Sequence, residues 1–565
     1  MTDVKVRDHL SRSVDEWNAL YSLNKGDGCY LTLVDLIEQS SKKYGDDIAV
    51  SNMGCSLSFK ELRQLSLQFA SFLQHHYKIK KGDRVAIMMP NCLQYYIVLH
   101  AILLAGAVVV NVNPLYKPRE LQHQLNDAEC ETIVIISLSA SVLSEVLAET
   151  KIKNIVVTNL GDCLGLVKGT LLNFALQYIK RLIKPYQLPQ AISFKKALAL
   201  GRQQAFLPVN CFPGDIAFLQ YTGGTTGVAK GAMISHANLC ANVWQCRAWA
   251  GKYLKDYAKT ALCPLPLYHI FSLMINAFSV FTVGGEVILV TDPRNIPALA
   301  KIFRRNKVTM FTSLNTLYVA LLTNETFRGC DFSSLKLSVG GGMATRASVA
   351  EEWQKVTGTV IIDGYGLTET SPVISINPID SLRFSGTVGK ATVGTEVEIR
   401  DEEGQSVPLG EAGEICVRGP QVMLGYWKNP QETALVLSDE GWLKTGDIGF
   451  IDQQGFITLV DRKKELISVS GFKVFPNEVE DVLTSLPGVL EAAVIGVPDK
   501  VSGEHVKAFV VKKDPTLSAA EILAYCQKNL TGYKRPHEIE FRDSLPKSNV
   551  GKVLRRVLRE EEIAQ

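Results

Sequence analysis

The sequence has few of the features that mark secreted, zinc-bound or nucleic-acid-binding proteins. Its twelve cysteines are scattered, with no CxxC pair and no His/Cys cluster at metal-site spacing, so we expect reduced thiols and no zinc site. Basic residues exceed acidic ones by only three in 565 residues, which is too small an excess for a nucleic-acid binder. The first 17 residues carry charges throughout and no apolar signal region. We therefore expect a cytoplasmic protein without a nucleic-acid partner.

One apolar run approaches the length of a membrane span. Residues 95–112 are almost all apolar, but His100 lies within them, and Ala105 followed by Gly106 is typical of a helix end. The run is predicted to be a buried helix over about 92–105 and a buried strand over 107–112. Repeats and low-complexity segments are absent from the sequence.

A chain of this length is expected to form two or more domains. Apolar runs alternate with helical patterns through the first 370 residues, which predicts an α/β fold of layered, largely parallel sheets. The predicted strands cover 84–89, 132–137, 154–158, 217–221, 286–290, 308–312 and 360–363.

Beyond residue 385 the pattern changes to short alternating runs separated by Gly or Asp, which predicts a small β subdomain over 386–460. A charged linker at 461–464 then separates an N-terminal domain, 1–460, from a small α+β domain, 465–565. The predicted elements of this tail are a helix at 476–485, strands at 492–496 and 506–512, and a helix at 518–530.

The sharpest chemical signal is YTGGTTGVAKG, residues 221–231, directly after the apolar run DIAFLQY. Its glycines can turn backbone N–H groups toward an anion, its threonines add hydroxyl donors, and Lys230 adds a mobile positive charge. Together these groups suit a polyphosphate. The segment is not a Walker loop, because Ala229 precedes Lys230 where that loop needs glycine. A functionless glycine loop is the alternative, and the density of donors argues against it.

Two further segments carry groups suited to a nucleotide. In DGYGLTETSP, residues 363–372, Tyr365 offers a flat face for a purine, Thr368 a hydroxyl for a phosphate, and Glu369 a hard oxygen ligand for Mg²⁺. In GWLKTGDIG, residues 441–449, Asp447 can accept both ribose hydroxyls. The alternatives are a solvated Glu at a strand-end turn and an Asp turn between strands.

These three segments occur in the same order as conserved blocks of the adenylate-forming superfamily, which the whole chain resembles. PLPLYHIFSL (264–273), DRKKELISVSGFKVFP (461–476) and PKSNVGK (546–552) complete the resemblance. That superfamily contains acyl-CoA synthetases, peptide-synthetase adenylation domains and firefly-type luciferases. NVNPLYKPRELQHQLNDA (111–128), RGPQVMLGYW (418–427) and LPKSNVGKVLRR (545–556) look specifically like the bacterial long-chain fatty-acid–CoA ligases.

The resemblance implies roles for particular residues. Thr368 would contact the α-phosphate and Glu369 would bind Mg²⁺, while Asp447 and Arg462 would hold the ribose. His269 would lie near the acyl carboxylate, and Lys552 would be the mobile catalytic lysine. The ATP phosphates would be held by Tyr221, Thr222, Gly223, Gly224, Thr225, Thr226, Gly227, Val228, Ala229, Lys230 and Gly231. The adenine would be lined by Gly340, Gly341, Gly342, Asp363, Gly364, Tyr365, Gly366 and Leu367.

The implied reaction has two steps and needs ATP, Mg²⁺ and coenzyme A. A fatty-acid carboxylate attacks the α-phosphorus of ATP, giving acyl-AMP and pyrophosphate, and the thiol of coenzyme A then displaces AMP. The C-terminal domain would rotate about Lys464 between the steps, bringing Gly471, Phe472 and Lys473 to the site. Helical spacing also predicts that Lys552, Arg555, Arg556 and Arg559 share one face of a terminal helix.

Several expectations remain open at this stage. The enzyme is expected to serve fatty-acid uptake and β-oxidation; a medium-chain or aryl-CoA ligase and a non-catalytic fatty-acid binder are alternatives. A homodimer is left open. Residues 161–184 are predicted to attach to an anionic cytoplasmic membrane face through Lys180, Arg181 and Lys184 and an apolar stripe of Leu172, Leu176, Ile179 and Ile183. Packing of that stripe on the protein's own core is the alternative.

Overall fold

The computed structural model describes residues 30–222, 229–470, 472–499, 501–548 and 552–563. Its strands, in chain order, are β1 Ile48–Asn52, β2 Cys55–Ser58, β3 Arg84–Met88, β4 Val108–Asn111, β5 Thr132–Ile136, β6 Asn154–Thr158, β7 Ile192–Ser193, β8 Ile216–Thr222, β9 Lys230–Ser235, β10 Thr260–Cys263, β11 Glu286–Leu289, β12 Met310–Ser313, β13 Leu337–Gly340, β14 Ile361–Gly366, β15 Val373–Ile376, β16 Lys390–Ala391, β17 Glu396–Arg400, β18 Gly413–Arg418, β19 Leu443–Ile451, β20 Ile457–Arg462, β21 Ile467–Val469, β22 Phe472–Val474, β23 Val489–Asp499, β24 Gly503–Lys512 and β25 Glu538–Phe541.

The α-helices cover Leu33–Tyr44, Phe59–His75, Leu93–Leu104, Pro118–Asp127, Ala140–Val146, Leu166–Phe174, Phe194–Gly201, His236–Ala250, Leu254–Tyr257, Ile270–Ser272, Ile296–Arg305, Asn315–Leu322, Glu325–Arg328, Ala347–Thr357, Pro430–Val436, Pro476–Ser485, Ala519–Asn529 and Arg555–Ile563. Two π-helical segments, Ala175–Ile179 and Leu273–Ser279, continue helices that begin as α. All seven strands predicted before residue 370 are present, with ends shifted by at most three residues, so the layered α/β prediction is confirmed.

The strands form four sheets. Seven strands pair in the order β7-β6-β5-β3-β4-β8-β9, all parallel except β9, and nine pair in the order β16-β15-β14-β13-β12-β10-β11-β1-β2. The order β17-β18-β19-β20 makes an antiparallel four-stranded sheet. The fourth sheet contains β22, β21, β24 and β23, with β25 beside β24.

One hydrophobic cluster joins the two large sheets. It contains Val85 and Val109 from the seven-stranded sheet and Ala261 and Val287 from the nine-stranded sheet. Every residue of helix Leu93–Leu104 is buried, so the long apolar run at 95–112 is a core helix followed by a core strand, as predicted. No helix among the described residues has the length and apolar composition to cross a bilayer.

The chain leaves the four-stranded sheet at Arg462 and enters the C-terminal sheet at Ile467 after one short 3₁₀ turn, Lys463–Glu465. Lys390 and Ala391, which fall within the predicted β subdomain, pair with β15 in the nine-stranded sheet instead. The predicted tail helix at 476–485 is present with those bounds. The domain division at 461–464 stays a prediction.

The terminal helix begins at Arg555, so Lys552 precedes it. The prediction that Lys552 shares a face of this helix is therefore wrong. Lys552 follows a segment outside the described residues, and its backbone N–H donates to Ser548 Oγ at 3.1 Å. An antiparallel bridge pairs Lys547 with Val553.

Candidate active site

The predicted nucleotide-binding segments come from different sheets that meet at one place. Tyr221 and Thr222 end β8, Lys230 and Gly231 begin the adjacent β9, and Asp363, Gly364, Tyr365 and Gly366 lie in β14. The 3₁₀ turn Thr368–Thr370 contacts both β8 and β9. Residues ending parallel strands and the loops after them are the usual place for a ligand in such sheets. Gly223, Gly224, Thr225, Thr226, Gly227 and Val228 lie outside the described residues.

An ion pair between Asp447 and Arg462 forms the centre of the site. The two residues lie opposite each other on β19 and β20, and Arg462 Nε is 2.6 Å from Asp447 Oδ1. The Tyr365 hydroxyl donates to the other carboxylate oxygen at 2.7 Å. Burial raises the pKa of Asp447, and the positive charge of Arg462 opposes that rise. Three predicted site residues are therefore joined by direct contacts across two sheets.

Lys552 lies close enough to this ion pair for its charge to act on both partners. Burial lowers the pKa of its amine to about 8, the charge of Arg462 lowers it further, and Asp447 acts in the opposite direction. Lys552 as a whole residue is nonetheless exposed to solvent. The C-terminal part of the chain therefore delivers a weakened cation to a site built by the N-terminal part.

His269 belongs to the same electrostatic cluster. It caps the short helix Ile270–Ser272, and its Nδ1 accepts from the Phe271 N–H at 3.4 Å. Burial lowers the pKa of His269 to about 4, and the positive charge of Lys552 lowers it too. The imidazole is consequently neutral near pH 7.

The triple glycine after β13 is required by close packing. A Cβ at Gly340 would overlap the Asp363 carboxylate, and one at Gly341 would come within 2.9 Å of the Phe271 ring. Gly342 has φ 76°, a conformation that side chains rarely adopt.

The Asp363 carboxylate forms hydrogen bonds within this turn and is not exposed to a ligand. Its Oδ1 accepts from Thr345 Oγ1 at 2.7 Å and its Oδ2 accepts from the Thr345 N–H at 3.3 Å. Burial raises the pKa of Asp363 to about 6. Gly364 lies opposite Ile376 in the antiparallel pairing of β14 with β15.

A second group of contacts joins Glu369 to Lys230. The Tyr426 hydroxyl donates to Glu369 Oε1 at 2.7 Å, and Lys230 Nζ lies 5.2 Å from the centre of the Tyr426 ring. Lys230 also forms a close ion pair with Glu432. The sequence assigned no role to Tyr426 or Glu432, although Tyr426 falls within the quoted segment RGPQVMLGYW.

The ends of the glycine-rich segment are also held by residues without a predicted role. The Tyr221 hydroxyl donates to the Asp127 carboxylate, and His123 Nε2 lies 3.2 Å from the Ala229 carbonyl oxygen. Both partners lie on helix Pro118–Asp127. The local sequence gives no sign of these contacts, because they join residues about 100 positions apart.

The residues predicted for the thiol step lie in other contacts. The Phe472 ring is 57% exposed and stacks on Tyr533, with ring centres 4.8 Å apart. Lys473 pairs with Glu402, and Gly471 lies outside the described residues. Lys464 is exposed in the turn after β20. The structure thus brings Lys552 to the Asp447–Arg462 pair, with Phe472 and Lys473 engaged elsewhere.

The donor set around Glu369 is compatible with a magnesium ion. One carboxylate oxygen accepts from Tyr426, and a carboxylate is a hard oxygen ligand of the type that Mg²⁺ prefers. The described residues contain no cluster of three His, Cys, Asp or Glu suited to a metal ion. Magnesium in nucleotide enzymes is commonly bound by one or two carboxylates together with substrate phosphates, so the single Glu369 fits that pattern.

Most of the chain matches protein families and individual proteins that are already known. Residues 37–427 match the model of the AMP-binding enzyme family, and residues 478–552 match that of the AMP-binding enzyme C-terminal domain. A long-chain-fatty-acid–CoA ligase of Escherichia coli O6:H1 is 51% identical over 94% of this chain and 95% of its own length.

Two solved structures are similar to nearly the whole chain, at lower sequence identity. The anthranilate CoA ligase AuaEII in complex with anthranoyl-AMP superposes with a TM-score of 0.82 at 26% identity, over 95% of this chain and 99% of that one. ATP-bound MatB from Rhodopseudomonas palustris superposes with a TM-score of 0.80 at 28% identity, over 94% of this chain and 98% of that one.

The lowered pKa of Lys552 generates a prediction. Competitive amine labelling followed by mass spectrometry should show that Lys552 of the folded protein has a pKa of about 8, against the ordinary lysine value of 10.5. Adenylate formation at subsaturating substrate should decline over the same range, because the neutral amine no longer stabilises phosphate charge. The urea-unfolded chain is the control. Identical labelling profiles for the folded and unfolded chains would contradict the placement of Lys552 in the cleft.

Proposed function

The chain belongs to the AMP-binding enzyme family, and we propose that it is a ligase that activates a long-chain fatty acid with ATP and transfers the acyl group to coenzyme A. The 51% identity to a long-chain-fatty-acid–CoA ligase over nearly the whole chain supports the substrate class. The single observation that carries the chemistry is the ion pair of Asp447 with Arg462, bonded to the Tyr365 hydroxyl and within electrostatic range of Lys552.

Adenylation requires positive charge where the α-phosphate is attacked. A carboxylate is a poor nucleophile toward another anion, and the developing charge on the phosphoryl oxygens must be stabilised by groups already in place. Lys552 and Arg462 supply two cations against the single carboxylate of Asp447. This excess of positive charge favours a bound phosphate anion.

The remaining residues orient the nucleotide and the acid. Tyr365 cannot turn freely, because its hydroxyl is bonded to Asp447, so its ring can serve as a fixed face for the adenine. Asp447 retains further lone pairs for the ribose hydroxyls. A neutral His269 beside the fatty-acid carboxylate adds a polar contact without a second charge that would hold the nucleophile back.

Glu369 would hold the magnesium ion that accompanies ATP, with Thr368 next to it toward the α-phosphate. The ion would supply charge neutralisation on the phosphate oxygens when bound. The chain's own contribution is to fix the carboxylate, through the hydrogen bond from Tyr426 and the bond from the Met423 N–H to the Glu369 carbonyl oxygen at 2.8 Å.

Thioester formation would need a second arrangement of the C-terminal domain, with rotation at Lys464. That rotation would have to break contacts across the linker. Asp461 accepts from the Asn477 N–H at 2.8 Å and lies 3.5 Å from Arg555 Nη1, and Arg346 donates to the Leu490 carbonyl oxygen at 3.3 Å. The buried ion pair of Asp461 with Arg555 is the most costly of these contacts to break.

Turnover with defined acids tests the proposal. With ATP, Mg²⁺ and coenzyme A, oleate should give oleoyl-CoA, AMP and pyrophosphate in equal amounts, and kcat/KM should exceed that for octanoate or 4-coumarate at least tenfold. A preference for octanoate or 4-coumarate would replace the substrate class with the medium-chain or aryl alternative. Oleate binding without AMP formation would make the chain a non-catalytic binder.

The proposal includes attachment to an anionic membrane surface by the 166–186 surface, defined by exposed apolar residues. They are Leu166, Val167, Leu171, Phe174, Tyr178, Ile179 and Leu182, each at least 53% exposed. Exposed apolar residues so close together are uncommon on proteins that contact only water. Lys180, Arg181 and Lys184 are exposed beside them, and each adds about 1 kcal/mol of attraction near anionic lipid.

The stripe predicted from the sequence is not this surface. Leu176 is buried, Leu172 and Ile183 are half-buried against the protein core, and only Ile179 of that stripe is exposed. The α-helix ends at Phe174 and is followed by a π-helical turn at Ala175–Ile179, after which the helix stops. Three of the four stripe residues therefore pack on the protein core, as the alternative expected, and the wider π-helical turn leaves Ile179 exposed.

Vesicle co-sedimentation tests the attachment. Wild type should sediment with phosphatidylglycerol vesicles, less so at high salt, and the Leu171→Ser, Phe174→Ser, Ile179→Ser triple variant should lose most of that binding. The control is Leu382→Ser with Leu409→Ser, which removes two apolar residues elsewhere that are 84% and 63% exposed. Equal sedimentation of the triple variant and wild type, both folded, would exclude this surface as the anchor.

A further inference from the structure

Lys230 is neutralised by a neighbour that the sequence did not indicate. Its ammonium contacts the Glu432 carboxylate, and the two side chains are only 17% and 31% exposed. In a setting with so little solvent, a lysine and a carboxylate attract each other more strongly than an ion pair on an open surface.

The backbone fixes Glu432 at this position. Residues 424–427 run beside β9: the Leu424 N–H donates to the Met233 carbonyl oxygen at 3.0 Å and the Trp427 N–H donates to that of Gly231 at 2.8 Å. Helix Pro430–Val436 follows at once, capped by the Asn429 side chain, which accepts from the Glu432 N–H at 3.2 Å. Glu432 is thus held beside the first residue of β9, which is Lys230.

The same contacts extend to the proposed magnesium ligand. Tyr426 lies between Lys230 and Glu369, with its ring against the ammonium and its hydroxyl on the carboxylate. The Tyr426 hydroxyl is the hydrogen-bond donor in its contact with Glu369. Tyr426 therefore cannot replace Glu432 as the counter-charge of Lys230.

We propose that Glu432 is a latch on Lys230, a carboxylate that the outer phosphates of ATP must displace before the lysine can bind them. The proposal rests on the ATP-dependent function above and assigns Glu432 a positioning role within it. The ammonium has three donors on one compact charge. A phosphate oxygen that competes for them meets a carboxylate already in place, so the latch weakens ATP binding and leaves a ligand without β- and γ-phosphates unaffected.

The comparison of ATP with AMP separates this role from a structural one. Calorimetric titration of Glu432→Gln with MgATP should give a Kd roughly twofold to tenfold lower than wild type, the range expected from loss of a partly exposed ion pair. The Kd for AMP should be unchanged. Glu432→Ala should behave in the same way, which excludes an effect of the new amide group.

Glu38→Gln is the matched control. It removes one carboxylate from an ion pair elsewhere, Arg63 with Glu38 at 2.7 Å between helices Leu33–Tyr44 and Phe59–His75, and should leave both Kd values unchanged. Thermal melting confirms that each variant is folded. Unchanged or weaker ATP binding by both Glu432 variants would overturn the latch, and so would an equal change for ATP and AMP. Failure of wild type to bind MgATP at all would instead overturn the proposed function.

Discussion

The ion pair between Asp447 and Arg462 is the contact on which the rest of the site depends. It joins β19 to β20, receives the Tyr365 hydroxyl from β14 in a different sheet, and lies where the chain leaves the four-stranded sheet. Asp447 is only 5% exposed, so its charge needs the guanidinium. Removing one partner of such a pair leaves the other uncompensated, which is strongly destabilising. One contact thus aligns the adenine face, the ribose ligands and the start of the C-terminal part.

Lys552 adds a second positive charge to this arrangement. Two cations around one carboxylate leave a positive field, and burial together with the charge of Arg462 lowers the pKa of Lys552 in the free protein. A bound phosphate anion relieves it. The Lys230–Glu432 pair shows the opposite design, in which a cation is neutralised until the ligand arrives. The two lysines would therefore respond differently to ATP.

The sequence predicted those parts of the molecule that follow from local pattern. The strands ending at Tyr221 and at Asp363 were visible as apolar runs, and the buried helix Leu93–Leu104 as an apolar run containing His100. The Lys230–Glu432 pair was not visible, because 202 positions separate the two residues and either would be a solvated charge in isolation.

The 161–184 segment follows the core-packing alternative for three of its four stripe residues, with Ile179 as the exception. Its predicted stripe assumed a regular 3.6-residue period, and the π-helical turn at Ala175–Ile179 breaks that period. The domain division and the individual site roles stay predictions, since they depend on ligands and on a second arrangement of the chain.

The two half-reactions of one variant test the central claim most directly. If Lys552 stabilises the α-phosphate, Lys552→Ala should lose ATP–pyrophosphate exchange with oleate by about 10²–10³-fold. It should still convert supplied oleoyl-AMP and coenzyme A to oleoyl-CoA at near the wild-type rate, because that step needs the other arrangement of the C-terminal domain. Equal loss of both half-reactions, in a variant that melts like wild type, would contradict the account.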